Sequence, residues 1–328
     1  MFKILDFINE IKSEKRIFIQ THNFPDHDAV ASAYGLSELL LTYGIKNSII
    51  YKGEIERDSL VKMVERLNIN ISKYEDLNIS AQDKIVVIDG CKGNSNVEEL
   101  EGEEILVIDH HEVKEPEDVK YTDIRSSYGA CSTIIYTYYK QLEKQMSSDV
   151  ATALMIGLNV DTARLTRGVS KEDLDTFYFL YTKANMEQVN LILRNYIKTA
   201  DLNYYMILLQ QLKIKSSIAF CYFENGCNQN LLGILGDFIL SLEEINFVIL
   251  CAKNGQVVNF SIRNEKKGLN AALIIQDVLK GIGFGGGHID MAGGIINDIT
   301  KFNKDEIFRL FINKYEKNLN SLRWLFKI

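Results

Sequence analysis

The chain has 328 residues, of which 46% are hydrophobic and 25% charged, and carries a net charge of −7. That length exceeds one ordinary core and predicts two domains, with the balance of a soluble globular protein rather than a disordered or fibrous one. Residues 206–328 hold 14 Lys/Arg against 11 Asp/Glu and residues 1–205 hold 23 against 33, so neither half offers the basic patch that long duplex DNA requires.

In chain order, residues 16–21 form a short β-rich run ending at His22, followed by a helical pattern from about 29 to 43 with Gly44 as its stop. Two apolar runs, 84–89 and 104–109, each end in a carboxylate, Asp89 and Asp109. Such runs fit buried parallel strands. In an open α/β sheet, ligands bind beyond the carboxyl ends of the strands, so three strands ending in His or Asp would aim their side chains at one crevice. Helical patterns over 127–144 and 148–160 follow, the second reaching Asp161-Thr162, and more helix runs to about 203. The pattern then turns β-rich at 216–223, 247–251 and 257–262, with helices near 229–242 and 269–280 and an amphipathic helix from about 304. The expectation is an α/β protein: a parallel-sheet domain over 1–184, a helical linker over 185–205, and a second, smaller α/β domain over 206–328.

No run reaches the roughly 18 apolar residues of a membrane span, and the acidic first ten residues do not fit a signal peptide. A cytoplasmic protein without membrane contact is expected. Cys91, Cys131, Cys221, Cys227 and Cys251 are odd in number and contain no Cys-x-x-Cys pair, which argues against disulfides and a zinc ribbon. Cys91 reads as a small buried thiol.

All five histidines fall in clusters that also carry aspartate or glycine: His22-Asn-Phe-Pro-Asp26-His27-Asp28, Asp109-His110-His111 and Gly285-Gly286-Gly287-His288. Asp/His mixtures bind divalent metal through oxygen and imidazole. Taken singly, Asp89 would more often be a strand-end turn residue, Asp161 a helix cap, and His22 a core residue with its hydrogen bonds met. Together they supply more anionic ligands than one ion needs, and such carboxylates repel one another unless cations are bound. Two ions roughly 3.5–4 Å apart resolve the conflict and clamp an in-line phosphoryl displacement.

These segments, with Phe284-Gly-Gly-Gly-His288-Ile-Asp-Met-Ala-Gly-Gly, resemble the signature motifs of the DHH phosphoesterase superfamily and its DHH-associated C-terminal domain, over nearly the whole chain. The resemblance implies a metal-dependent hydrolase with two Mn²⁺ ions, Mg²⁺ or Co²⁺ substituting. One ion would be held by His22, Asp26 and Asp89, the other by Asp28, Asp89, His110 and Asp161, with Asp89 bridging. Water between the ions would attack phosphorus. Asp109 would orient His110, and His111 would point at the substrate phosphate. Arg263, with Gly286, Gly287 and His288, would bind substrate from the second domain across a cleft. His27 stands where many relatives carry Gly, and an outward-facing side chain is expected there. Arg164 and Arg167 could reach a phosphate or pair with acidic neighbours.

Within the superfamily the size and plan are most similar to nanoRNase/pAp phosphatases of the NrnA type. The expected activity is hydrolysis of short oligonucleotides to nucleoside monophosphates, with removal of the 3′-phosphate of pAp as a companion. The alternative is a phosphodiesterase of cyclic dinucleotides or of pApA. An exopolyphosphatase or a non-catalytic nucleotide sensor ranks lower. The expected partner is a small nucleotide or short oligonucleotide, not long duplex DNA, and a homodimer is compatible with this plan.

Overall fold

The computed structural model describes residues 2–325 except 56, 95, 195 and 196, with side chains described up to residue 319. Positions 195 and 196, inside the expected helical connection, therefore lie outside the described residues. The chain divides into two compact units, Met1–Tyr196 and Ile197–Ile328.

The first unit runs α1 (Ile4–Ile11), β1 (Ile17–Thr21), α2 (His27–Leu41), β2 (Asn47–Tyr51), α3 (Asp58–Arg66), β3 (Ile71–Lys73), β4 (Lys84–Ile88), β5 (Glu103–Asp109), β6 (Tyr121–Ile124), α4 (Cys131–Gln141), α5 (Ser148–Asp161), α6 (Lys171–Tyr181) and α7 (Met186–Leu193). Its six strands lie in the order β3-β2-β1-β4-β5-β6 and every pairing is parallel. Alternate side chains of the central strands feed two cores, as a sheet covered on both faces requires. Ile17, Ile19, Val86, Ile88, Leu106 and Ile108 pack with the helices. Phe18, Ile85, Val87 and Val107 pack with Cys91, Val97 and Val119 from the connecting segments.

The sequence pattern shows the central strands but not β2, β3 and β6. Those flanking strands are shorter in apolar content: β3 has no buried residue and β6 has one. Periodicity reports burial, so a half-exposed strand leaves a weak trace.

Helix α2 is buried nearly all round, with Ala29, Val30, Ala31, Ala33, Leu36, Leu39 and Leu40 fully shielded. A helix apolar on every side is one enclosed by other elements. Its small residues let α4 and α5 approach closely, and this layer fixes where the N-terminus of α2 points.

The second unit runs α8 (Leu202–Gln211), β7 (Lys213–Lys215), β8 (Ile218–Phe223), α9 (Gln229–Leu240), β9 (Phe247–Asn254), β10 (Val257–Asn264), α10 (Ala271–Leu279), β11 (Phe284–Gly287), β12 (Met291–Ile296) and α11 (Lys304–Leu325). Its sheet is mixed, in the order β11-β12-β10-β9-β8-β7, with β8 and β9 parallel and the other pairs antiparallel. One face packs on α10 and α11, the other on α8 and α9. The α/β class and the second, smaller α/β domain thus appear as the sequence indicates. No described helix is long and apolar enough to cross a membrane.

Removing packing from the α2 layer should be costly. Leu36→Ala, at a fully buried position, is expected to destabilise the fold by about 2–5 kcal/mol, read as a lowered midpoint in denaturant unfolding. An unchanged midpoint would contradict the enclosed position of α2.

Candidate metal centre

Strand order reverses between β1 and β4, so the first unit has the topological switch point of a doubly wound sheet. His22 follows β1, Asp89 follows β4 and Asp109 ends β5. The N-terminus of α2 brings Asp26 and Asp28 to the same edge, and the C-terminus of α5 brings Asp161.

Among the described residues, three overlapping groups place one ligand atom per residue within 4.8 Å of the others: His22, Asp26 and Asp89; Asp28, His110 and Asp161; Asp89, His110 and His111. His22 Nε2 lies 3.9 Å from both Asp26 Oδ1 and Asp89 Oδ2. His110 Nε2 lies 3.1 Å from Asp161 Oδ2 and 3.4 Å from Asp89 Oδ1. A cation with bonds near 2.1 Å separates its ligands by up to roughly 4.2 Å, so these spacings fit.

Two buried atoms support the fit directly. Asp89 Oδ1 and His110 Nε2 have no hydrogen-bond partner, and buried polar atoms are seldom left unpaired. The 3.1 Å approach of His110 Nε2 to Asp161 is close enough for an ion pair but lacks hydrogen-bond alignment. A shared cation would satisfy both atoms.

The electrostatics show the same need. Burial, with Asp161 next to it, pushes the Asp28 carboxyl up to about 7. Burial raises Asp161 to about 6 against the pull of His110, with Asp26 and Asp89 adding to the rise. Burial opposes charge on His110, yet Asp161 and Asp89 overcome it and raise the imidazole to about 12. Without cations the cluster holds itself together by taking up protons.

Several positions carry backbone strain. Asp89 has φ 55, and Ala163, Arg164 and Leu165 after Asp161 have φ 47, 60 and 62. Left-handed backbone costs roughly 1–2 kcal/mol per non-glycine residue, and such strain gathers where side chains must be aimed. The Asp89 amide is anchored to the Ile108 carbonyl at 2.9 Å, across to β5.

Asp28 has a structural task besides. Its carboxylate accepts the Cys131 and Ser132 amides at 2.6 and 3.0 Å, and the Ser132 hydroxyl. It thereby caps the N-terminus of α4 from another helix, where the exposed amides and the helix dipole favour an anion. Asp26 caps its own helix, accepting the Asp28 and Ala29 amides at 2.9 and 3.1 Å.

Two expectations need correction. His27 is 2% exposed rather than facing outward; its Nε2 lies 2.9 Å from Ser59 Oγ on α3, and burial lowers it to about 4. Asp109 holds His111, not His110: its Oδ1 accepts the His111 amide at 3.1 Å and lies 2.8 Å from His111 Nδ1. His110 Nδ1 instead lies 3.3 Å from the Tyr128 carbonyl, because β5 ends in a turn that swings His111 back over the Asp109 side chain. The glycine run 285–287 forms an edge strand paired in register with β12.

Arg164 and Arg167 each donate to a backbone carbonyl, of Leu193 at 3.3 Å and Asp161 at 3.2 Å. Cys91 is fully buried, as expected of an inert thiol. In the second unit, Arg263 Nε donates to Asp237 Oδ1 at 2.5 Å and Nη1 to Ser261 Oγ at 3.2 Å. His288 is exposed, its amide bonded to the Met291 carbonyl at 2.7 Å.

Sequence reasoning missed Gly157. It sits inside α5, and a Cβ there would lie 2.6 Å from Asp28 Oδ1 and 2.5 Å from Ser132 Oγ. A glycine in a helix interior, four residues before Asp161, was the available signal.

Residues 16–158 match the N-terminal domain of the DHH family and residues 215–317 match the DHHA1 domain. The chain belongs to the DHH family. It is 30% identical over 284 residues to an uncharacterised protein of Methanocaldococcus jannaschii, MJ1633, covering 86% of this chain and 58% of that protein. It is 27% identical over 340 residues to the cyclic-di-AMP phosphodiesterase GdpP of Bacillus subtilis, covering 94% of this chain and 49% of GdpP. The chain therefore spans about half the length of these two relatives. The crystal structure of an exopolyphosphatase-related protein from Bacteroides fragilis shares the fold, with a TM-score of 0.77 at 17% identity over 98% of this chain and 97% of that one.

Gly157→Ala tests the packing around Asp28. Helix propensity alone would gain about 1 kcal/mol from the change. The clash with Asp28 should reverse that sign and lower the melting temperature; a raised one would show that Asp28 is free to move.

Proposed function

We propose that the chain is a metal-dependent phosphoesterase that hydrolyses short oligonucleotides to nucleoside monophosphates and removes the 3′-phosphate of pAp. One observation carries this reading: three ligand groups overlap through Asp89 and His110 at the carboxyl edge of the sheet, with unpaired buried atoms at the overlap. RecJ of Thermus thermophilus, which shares the fold with a TM-score of 0.55 over 95% of this chain and 54% of its own, is described in complex with Mn²⁺. Streptococcus thermophilus has a probable manganese-dependent inorganic pyrophosphatase 25% identical over 153 residues. Mn²⁺ is accordingly the proposed metal, with Mg²⁺ or Co²⁺ as substitutes.

His22, Asp26 and Asp89 would hold one cation, and Asp28, Asp89, His110 and Asp161 a second. Bound divalent ions supply a water of lowered pKa and neutralise charge on phosphorus oxygens. The protein's own groups do the rest. Asp89 spans both positions, and its strained backbone fixes the carboxylate between the two histidines. Asp28 offers oxygens already ordered by the amides of α4. Asp109 fixes the ring of His111 through Nδ1, which leaves Nε2 to donate to a substrate phosphate oxygen. Asp109 also favours the charged imidazolium, the larger of its contributions being the hydrogen bond. Arg263, Gly286, Gly287 and His288 would bind a non-reacting phosphate. The planar guanidinium suits that anion, and amides on the outer side of edge strand β11 are not used by the ladder.

A second reading, hydrolysis of cyclic dinucleotides or of pApA, is favoured by the likeness to GdpP across both domains. A product profile over pAp, pApA, cyclic di-AMP, an RNA length ladder and polyphosphate decides between the readings. Dinucleotides to roughly pentamers should be cleaved much faster than a 20-mer, because neither half of the chain carries the positive charge that tracks an extended strand. A rate that rises with length would overturn this assignment.

Asp89→Ala should lower kcat more than a hundredfold, beyond the 10–100-fold typical of residues that only support metal ligands. Arg263→Ala should raise KM by about 10-fold or more with kcat nearly kept, as loss of a charged hydrogen bond shared by ground and transition states would. His111→Ala should fall mainly on kcat.

Metal uptake should release protons. Asp28 and His110 are partly or wholly protonated near neutral pH without cations, and a ligand must lose its proton to coordinate. Affinity should therefore rise with pH. Titration calorimetry in two buffers of different ionisation enthalpy checks this, and equal heats in both would contradict it.

A further inference from the structure

With Asp109 engaged by His111, the ring of His110 rests on the Tyr128 carbonyl, 3.3 Å from its Nδ1. A carbonyl oxygen only accepts, so Nδ1 carries a proton and Nε2 is the nitrogen open to a cation. Whatever fixes that carbonyl therefore fixes a metal ligand. Tyr128 lies in the segment between β6 and α4, outside any strand or helix. A trans peptide unit is planar, so its C=O and N–H point in opposite directions. The N–H in the plane of the Tyr128 C=O belongs to Gly129, and it donates to Asp173 Oδ2 at 2.8 Å. One peptide thus spans the gap between His110 and Asp173.

Asp173 lies in the first turn of α6, where Ser170 and Asp173 form a capping box. The box asks only that its carboxylate accept the Ser170 amide, which it does at 2.7 Å. Aspartate is seldom fully buried unless its charge is met, yet Asp173 has no exposed surface. Two of its donors come from far along the chain: the Gly129 amide, and the Thr133 hydroxyl at 2.5 Å from Oδ1. Each leads to a candidate ligand. Thr133 follows Ser132, whose amide holds Asp28. A Cβ on Gly129 would lie 2.7 Å from Thr162 Cγ2 and 2.8 Å from the Gly168 carbonyl, so the peptide is wedged into the turn that follows Asp161. Asp28, His110 and Asp161, which make up one ligand group, are each tied to Asp173 through a short stretch of backbone. His22 and Asp26 are held by other means, the Asn23 carbonyl 2.8 Å from His22 Nδ1 and the first amides of α2 on Asp26.

Resting on the proposed metal reading, we infer that Asp173 is a positioning residue for the cation held by Asp28, His110 and Asp161: it fixes the Tyr128–Gly129 peptide, and that peptide sets the His110 ring. A carboxylate suits the task. Hydrogen bonds to an ionised acceptor are roughly twice as strong as neutral ones. A bond at the N–H end also polarises the same peptide's C=O, which makes it a better acceptor for Nδ1–H.

The test is Mn²⁺ binding by the full, metal-free chain without substrate, with free ion read from its electron paramagnetic resonance. The wild type should bind two ions. Asp173→Ala should keep one at unchanged affinity and weaken the other by about 10–100-fold, the range for residues that support a metal ligand. Asp173→Asn should restore most of that loss, since its side-chain oxygen still accepts the Gly129 amide. Ser170→Ala removes the cap hydroxyl of α6 but leaves Gly129 its acceptor. It should lower the melting temperature and leave both affinities unchanged. A second readout needs no metal. The Nδ1–H proton of His110 in the NMR spectrum, assigned by its loss in His110→Gln, should shift in Asp173→Ala and stay in place in Ser170→Ala. Should Asp173→Ala not fold, Asp173→Ser, whose hydroxyl falls short of Gly129, replaces it in both measurements.

Two ions bound at wild-type affinity by Asp173→Ala, or both weakened alike, would overturn the inference. So would an equal loss in Ser170→Ala, or an Asp173→Asn variant no better than alanine. A wild type that binds no Mn²⁺ would remove the proposed function instead. The His110 signal then decides alone: a shift in Asp173→Ala upholds the positioning role, and an unmoved signal ends it.

Discussion

The first unit depends on a carboxylate with no exposed surface. Asp28 belongs to α2, accepts the first amides of α4, and lies against the one position in α5 where a side chain is missing. Three helices are thus indexed to a single pair of oxygens. A helix N-terminus with unpaired amides and a buried anion each cost several kcal/mol alone and offset one another when joined. Because Asp26 caps α2 two residues earlier, the same contact sets the direction in which the loop after His22 enters the edge of the sheet.

Around this fixed point the remaining groups are held under tension. Asp89 and the turn after Asp161 adopt left-handed backbone, and carboxylates crowd together until some carry protons near neutrality. The sheet tolerates this because β1, β4 and β5 are bonded on both sides and buried on both faces. Stiffness in β1, β4 and β5 is what allows their ends to be uncomfortable.

Much of this was legible in the sequence, for reasons that differ from residue to residue. Asp89 and Asp109 stood out because four apolar residues precede each, a pattern made by a buried parallel strand. Asp161 could be placed because the helical pattern stops there. His27 misled because the flanking Asp26 and Asp28 face the cluster while its own side chain turns toward Ser59, a contact made by α3 thirty-two residues away and invisible to local periodicity. The Asp109–His111 pair depends on the turn after β5, and adjacent histidines give no hint of which ring folds back. The run Gly285–Gly287 has no side-chain period at all, so its place in a sheet followed only from the strand it pairs with.

The order of the strands has a consequence for how the chain is made. β1 lies between β2 and β4 and reaches its second neighbour only after residues 84–88 are available. The clustered side chains are spread from His22 to Asp161, so no part of the cluster can assemble locally. Synthesis from the N-terminus therefore presents a hydrophobic strand well before its partners, and loop closure over such distances slows pairing. The second unit differs, since β9 and β10 form a hairpin across Gly255 and Gln256. A ribosome would release the first unit as the slow, exposed part of the molecule and the second as one with local contacts ready to close.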